Sequence, residues 1–238
     1  MAAFVDSHAS QDVLRFPGLL TSDPFIADRL QRYSETVHLS AAESLFYEGD
    51  IARKVFVIVR GALRAVTYLA DGRRCVLSFH HHGDIVGFPT RSVYCATVEA
   101  LQPVRAVAIA RTAFNDALVE TPSLLPQLSG QNEAMQRHVL ALARMSPAEK
   151  IALFLKNEAE RLNGPGARRV TLPMARSDIA DHLGLTVETV SRIFTRLKSE
   201  GAIAVEGIKN IHFTNIDLIE AYAEGNGVTQ STPMAPTL

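Results

Sequence analysis

Residues 174–201, MARSDIADHLGLTVETVSRIFTRLKSEG, constrain the fold more than any other stretch, because two short helical patterns meet there at a single glycine. The first predicts a helix from about Asp178 to Leu183, with Ser177 available to cap its exposed amides and Gly184 to supply the left-handed turn that ends it. Thr186 caps a second helix. There Val187, Val190, Ile193, Phe194 and Leu197 recur as a buried stripe, while Glu188, Ser191, Arg192, Thr195 and Ser199 fall on the opposite face. Ala202 to Val205 and Ile211 to Thr214 then form two strands around a turn at Glu206 and Gly207. Two helices around a glycine turn, followed by a hairpin, make a winged helix-turn-helix.

A flat face of short polar side chains suits the major groove of DNA. An arginine can bond guanine O6 and N7 together, a carboxylate can accept from a cytosine amino group, and serine can do either. Glu188, Ser191 and Arg192 are therefore the base-reading candidates. Arg176, Arg196, Lys198 and Lys209 suit phosphates, which hold register without reading sequence, and Ser177, Thr186, Thr189 and Thr195 add hydroxyls for the same positioning task. Taken singly, each residue also fits an ordinary solvated helix face, with Glu188 complementing the positive end of the helix dipole.

LTVETVSRIFTRL closely resembles the recognition helix of the CRP/FNR superfamily of bacterial transcription regulators. ETVSR, Glu188 to Arg192, is similar to the FNR and FixK branch; the cyclic-AMP receptor branch carries an arginine and a glycine where this chain has Val187 and Ser191. The resemblance implies that Glu188, Ser191 and Arg192 read an inverted repeat of the form TTGAT-N4-ATCAA. It also implies a link to oxygen-limited or redox metabolism, and RNA polymerase as a partner if the protein activates transcription.

With 238 residues the chain can hold two modest domains. Net charge is −1, and residues 147 to 224 hold ten Lys plus Arg against eleven Asp plus Glu, so any attraction to DNA must come from a local field. The start, MAAFVDSHASQDV, lacks the charged head and apolar core of a secretory signal, and no apolar run approaches a membrane span. Two cysteines, Cys75 and Cys95, fit a reducing compartment. The expectation is a cytoplasmic protein with no membrane partner.

From Leu39 to about Ile109, short apolar runs alternate with turns at Gly49-Asp50, Gly61, Asp71-Gly72, Gly83-Asp84 and Gly87, the mark of antiparallel β structure. VFVIV at 55 to 59 is a strand core, and Cys75, Leu77 and Phe79 alternate inward against Arg74, Val76 and Ser78. Spacing alone permits a sandwich, barrel or jelly roll. KVFVIVRGALR and DGRRCVLSFHHHGDIVGF resemble the β-roll sensor of the same superfamily, which extends the resemblance over roughly residues 35 to 215.

Between roll and winged head, Leu125, Asn132, Val139 and Ser146 share one heptad position and Leu128, Met135 and Leu142 another, a seam of about three heptads. Pro126 must fall in the first turn of that helix. Asn132 is the kind of polar residue that fixes register in a dimer, and two copies would set two reading heads about 34 Å apart, one turn of DNA. Ser146-Pro147 marks a hinge before a helix with Ile151, Phe154, Leu155 and Leu162 on its apolar face. The expected fold is thus α+β: a β-roll sensor domain at 1–120 of the cyclic-nucleotide-binding jelly-roll kind, a dimerisation helix at 121–146, a winged helix-turn-helix at 147–224 and a mobile tail at 225–238.

The signal is harder to read. Cyclic-nucleotide members of the superfamily hold ribose with a Gly-Glu pair and phosphate with an Arg-Ser or Arg-Ala pair. Here Gly87 precedes Phe88, and Tyr94 and Cys95 stand at the second place, with Arg91-Ser92 three residues early. A buried phosphate would lack its charged partner, which argues against cyclic AMP. An iron-sulfur cluster normally takes four thiolates, and none precedes Cys75. His80, His81 and His82 point in alternating directions along a strand end, which disfavours haem or a metal ion. Cys75 and Cys95 are candidate redox thiols, with Cys75 expected to be shielded on the inward side of its strand. A roll that has lost its ligand and a roll with an unidentified effector stand level. The alternatives to an FNR-like regulator are a cyclic-nucleotide-responsive regulator and a nucleotide-binding module acting through a protein partner. Nothing in the chain matches a nucleophile-base motif, a phosphate loop or a paired metal motif, so enzymatic activity is not expected.

Overall fold

The computed structural model describes residues 4–6, 30, 32–88, 92–120 and 125–225, with backbone alone at 4–6, 120 and 125–131. The chain forms two compact units that divide between His138 and Val139. The expected tail beyond Gly225 and the side chains of Leu125, Pro126 and Leu128 lie outside the described residues.

In the first unit the strands are β1 (Phe4–Asp6), β2 (Ser34–Leu39), β3 (Ser44–Phe46), β4 (Lys54–Arg60), β5 (Leu63–Tyr68), β6 (Arg74–His80), β7 (Ile85–Val86), β8 (Thr97–Ala100) and β9 (Val104–Ala110). They build two antiparallel sheets, β1-β2-β9-β4-β7 and β3-β8-β5-β6. VFVIV is apolar at every position because β4 is covered on both faces. Phe56 and Ile58 join the interior of the roll with Val37, Phe46, Leu63, Val98 and Ala108. Val55 and Val57 instead join Leu30, Ile109 and Phe114, the last carried by helix α1 (Arg111–Glu120), which no spacing in the sequence marks. A fully buried side chain of this size contributes about 1.5–3 kcal/mol, so α1 is held mainly by Phe114, with no accessible surface.

One expected alternation fails. Ala65 pairs with Ser78 but Val66 with Val76, so Leu77 is an extra residue in β6. Such a bulge moves the side chains before it to the other face. Val76 is accordingly buried at 2% exposure, Leu77 is outside at 37%, and Cys75 is half-buried rather than shielded in the interior.

Helix α2 (Leu125–Arg144) ends before Ser146, which leaves the expected heptad and instead caps α3 (Pro147–Asn163). Its hydroxyl accepts from the Glu149 amide at 3.5 Å while the Glu149 carboxylate accepts from the Ser146 amide at 2.8 Å, with Pro147 in the first turn. Ile151, Phe154 and Leu155 are buried as expected; Leu162, near the end of the helix, is exposed. The second unit continues with β10 (Arg169–Thr171), α4 (Arg176–Leu183), α5 (Val187–Ser199), β11 (Ile203–Glu206), β12 (Asn210–Phe213) and α6 (Ile216–Ala223). β10, β12 and β11 form a small antiparallel sheet that carries the wing.

Candidate DNA-reading surface

Helix α4 starts two residues earlier than the spacing indicated, because Asp178 rather than Ser177 secures its end: the Asp178 carboxylate accepts from the Ala175 amide at 3.1 Å. Gly184 ends the helix in the left-handed region, φ 63° and ψ 39°, its amide bonded to the Ala180 carbonyl. Thr186 then caps α5, accepting from the Thr189 amide at 3.2 Å, and the two hydroxyls lie 3.1 Å apart.

This fixes the rotation of α5. Val190, Phe194 and Leu197 are buried and Ile193 is half-buried, whereas Glu188, Ser191, Arg192, Thr195, Lys198 and Ser199 are exposed. Val187 was expected in the stripe but is 41% exposed. It keeps the right angle about the axis, yet it is the first residue of the helix, and burial requires a neighbour as well as an angle.

Glu188's own backbone amide, and then the Thr186 hydroxyl, hold its carboxyl below the ordinary glutamate value, so it is a charged acceptor at neutral pH. Among the described residues, no hydrogen-bond or ion-pair partner is seen for the side chain of Arg192 or of Lys198. Thr195 bonds back to the Ser191 carbonyl at 3.1 Å. Ser177 is exposed at the start of α4.

The other cations are engaged within the chain. The Arg176 guanidinium carbon lies over the Phe194 ring, 3.2 Å from its centroid, and burial pushes the group down to about 10, which leaves it charged at neutral pH. Lys209 donates to the Pro173 carbonyl at 3.0 Å. Arg196 donates through Nε to Glu200 at 2.8 Å and through a terminal nitrogen to the Tyr222 hydroxyl at 3.0 Å, and that hydroxyl donates to the second Glu200 oxygen at 2.8 Å. Partial burial pushes the Glu200 carboxyl up, but the bonds from Arg196 and Tyr222 outweigh it and hold the group below its usual value. Glu200 and Tyr222 were not singled out from sequence. The spacing of Arg196 and Glu200 by one helical turn hints at the pair, whereas no sequence signal links Tyr222, on another helix, to either.

In the roll, Tyr94 stacks on Phe46 with ring centroids 3.8 Å apart and donates its hydroxyl to the Lys54 carbonyl at 2.8 Å. Gly87 has φ 77°, and a Cβ there would come within 3.2 Å of Phe46, Phe56 and Tyr94. Phe88 packs edge-on against Phe114, with centroids 5.4 Å apart. An open cavity of about 590 Å³ lies beside Phe46, Phe56 and Tyr94, with Glu35, Asp50, Arg53 and Lys54 at its rim. His81 is buried, His80 half-buried against Ser78, and exposed His82 meets the Val59 carbonyl through Nδ1 at 2.8 Å. Among the described residues, no group of three or more His, Cys, Asp and Glu side chains is placed to hold a metal ion. Cys95 is exposed. No described helix is long and apolar enough to cross a membrane.

On α2, Asn132, Met135, Val139 and Leu142 are all exposed. Leu140, outside the expected seam, is more exposed still at 63%.

Comparison with known proteins agrees with this geometry. Residues 149–222 match the Crp-like helix-turn-helix domain and residues 36–121 the cyclic nucleotide-binding domain. The nitrogen fixation regulation protein FixK of Bradyrhizobium diazoefficiens is 38% identical over 175 residues, covering 71% of this chain and 74% of that protein. An anaerobic regulatory protein of Haemophilus influenzae is 32% identical over 177 residues, covering 71% of this chain and 69% of that one. The structure of FixK2 from Bradyrhizobium japonicum superposes with a TM-score of 0.74 at 29% identity, covering 79% of this chain and 96% of that one. These relatives are transcription regulators and not enzymes. A polar recognition face over a buried stripe, a wing and a β-roll thus place the chain among the DNA-binding transcription regulators of the CRP/FNR family, in its FNR/FixK branch.

Proposed function

We propose that the protein is a homodimer that reads an FNR-type inverted repeat, TTGAT-N4-ATCAA, through Glu188, Ser191 and Arg192 of each protomer. The observation that carries this reading is the outward face of α5, where a charged carboxylate, a hydroxyl and a guanidinium are exposed above a fully buried Val190 and Leu197. Pairing is supported by the exposed Met135, Val139 and Leu142 at heptad spacing on α2, a stripe that a second copy of the helix would cover. Lys198 and the hydroxyls of Ser177, Thr189 and Thr195 are assigned to the phosphate backbone.

The roll is assigned a scaffold role without cyclic AMP, haem or an iron-sulfur cluster. Supporting this, Phe88 turns to Phe114 where the nucleotide-binding members carry a glutamate, and Tyr94 occupies the phosphate-holding place with its ring stacked on Phe46. The link to oxygen-limited metabolism rests on the relatives' names. The protein would work in the cytoplasm, where its DNA lies, and with RNA polymerase if it activates.

Binding at fixed salt to the FNR-type repeat, a cyclic-AMP-receptor-type repeat and scrambled DNA tests the base assignment, and preference for the first is expected. Sedimentation should give a dimer that Val139→Glu disrupts. Calorimetry with cyclic AMP should give no saturable heat, and a stoichiometric isotherm would restore the nucleotide-responsive alternative.

A further inference from the structure

Four cations near the reading surface invite assignment to phosphates, and Arg196 differs from the rest in the way it is held. Its guanidinium, the Glu200 carboxylate and the Tyr222 hydroxyl close a ring of three hydrogen bonds at 2.8, 3.0 and 2.8 Å. Glu200 already neutralises Arg196, so a phosphate brought to this corner would gain little and would meet a carboxylate. Tyr222 is 3% exposed and belongs to α6, which packs on α3 and is tied to it by a 2.9 Å pair between Lys156 and Glu220. The C-terminal end of α5 is therefore fastened, through a planar group, to the scaffold of the winged unit. Arg192 lies one turn before Arg196 on the same helix. A small rotation of α5 about its far end would move Arg192 and Glu188 out of register with base edges, because a bidentate contact tolerates little misplacement.

We infer that Arg196 is a positioning residue, which with Glu200 and Tyr222 clamps the recognition helix to α6 and sets the angle at which Glu188, Ser191 and Arg192 meet the bases. The inference rests on the base-reading assignment above for its consequence, but not for its geometry.

Salt-dependent binding of the full-length protein separates the clamp from a phosphate contact, since each phosphate contact adds about 0.9 to the slope of log K against log salt. Arg196→Ala, Arg196→Lys and Tyr222→Phe are compared with Lys198→Ala on the FNR-type repeat and on scrambled DNA, after thermal melts confirm that each is folded. A clamp predicts that all three lower the ratio of specific to non-specific affinity, by about tenfold for Arg196→Ala, with an unchanged slope, whereas Lys198→Ala lowers the slope by about 0.9 and leaves the ratio alone. Lysine would preserve a phosphate contact but cannot bridge Glu200 and Tyr222 as a planar fork, so recovery by Arg196→Lys would overturn the inference. A reduced slope in Arg196→Ala with no effect of Tyr222→Phe would overturn it too. If the wild type itself shows no preference for the repeat, the base-reading assignment fails, and the slopes on scrambled DNA still decide whether Arg196 touches phosphate.

Discussion

The winged unit leaves some of its polar groups open on one helix, whereas the β-roll pairs the polar groups of its sheets. On α5, Glu188, Ser191, Arg192 and Lys198 stand at the surface above a buried stripe of Val190, Phe194 and Leu197. In the roll, polar groups are used inward or against one another: Tyr94 caps the Lys54 carbonyl, and Arg64 bonds Glu99 directly across β5 and β8 at 2.8 Å. A recognition helix that leaves Arg192 and Lys198 available suits a large anionic partner, whereas the roll stacks Tyr94 on Phe46 beside an open cavity.

Substitutions can break or sharpen that contrast. The largest effect is expected at Phe114, where Phe114→Ala should cost the roll about 3–5 kcal/mol by denaturant unfolding, since the ring joins α1 to the outer face of the first sheet. A cost below about 1 kcal/mol would mean that the roll is not held by packing there. Gly87→Ala comes next, at about 1–3 kcal/mol from its positive φ alone, with crowding against Phe46, Phe56 and Tyr94 added. An unchanged midpoint would show that Phe46, Phe56 and Tyr94 give way easily around Gly87. Arg192→Ala should leave folding unaltered and cost about 1–3 kcal/mol of binding, with preference relaxed at one base pair of each half-site. Thr186→Ala removes the α5 cap and should cost about 1 kcal/mol of stability.

How much of this was legible in the sequence follows the same division. Helical period located the buried stripe of α5 because burial there repeats every three or four residues and one glycine sets the turn. The errors lie where a second element intervenes. Val187 has the angle of a core residue but, in the first turn, stays 41% exposed. Leu77 has the parity of an inward residue until the bulge reverses it. Ser146 has the spacing of a heptad position but serves the next helix as its cap. The unbroken apolar run of VFVIV did carry information, since α1 had to cover the face that the roll interior does not. The Arg196 network was not legible: spacing can pair Arg196 with Glu200, but only the fold brings Tyr222 to both.

The most direct test of the central claim is competition binding of the full-length protein at one salt concentration among the FNR-type repeat, the cyclic-AMP-receptor-type repeat and scrambled DNA. At least about tenfold tighter binding to the first is expected, because each mismatched base pair costs about 1–3 kcal/mol. Equal affinity for all three would contradict it.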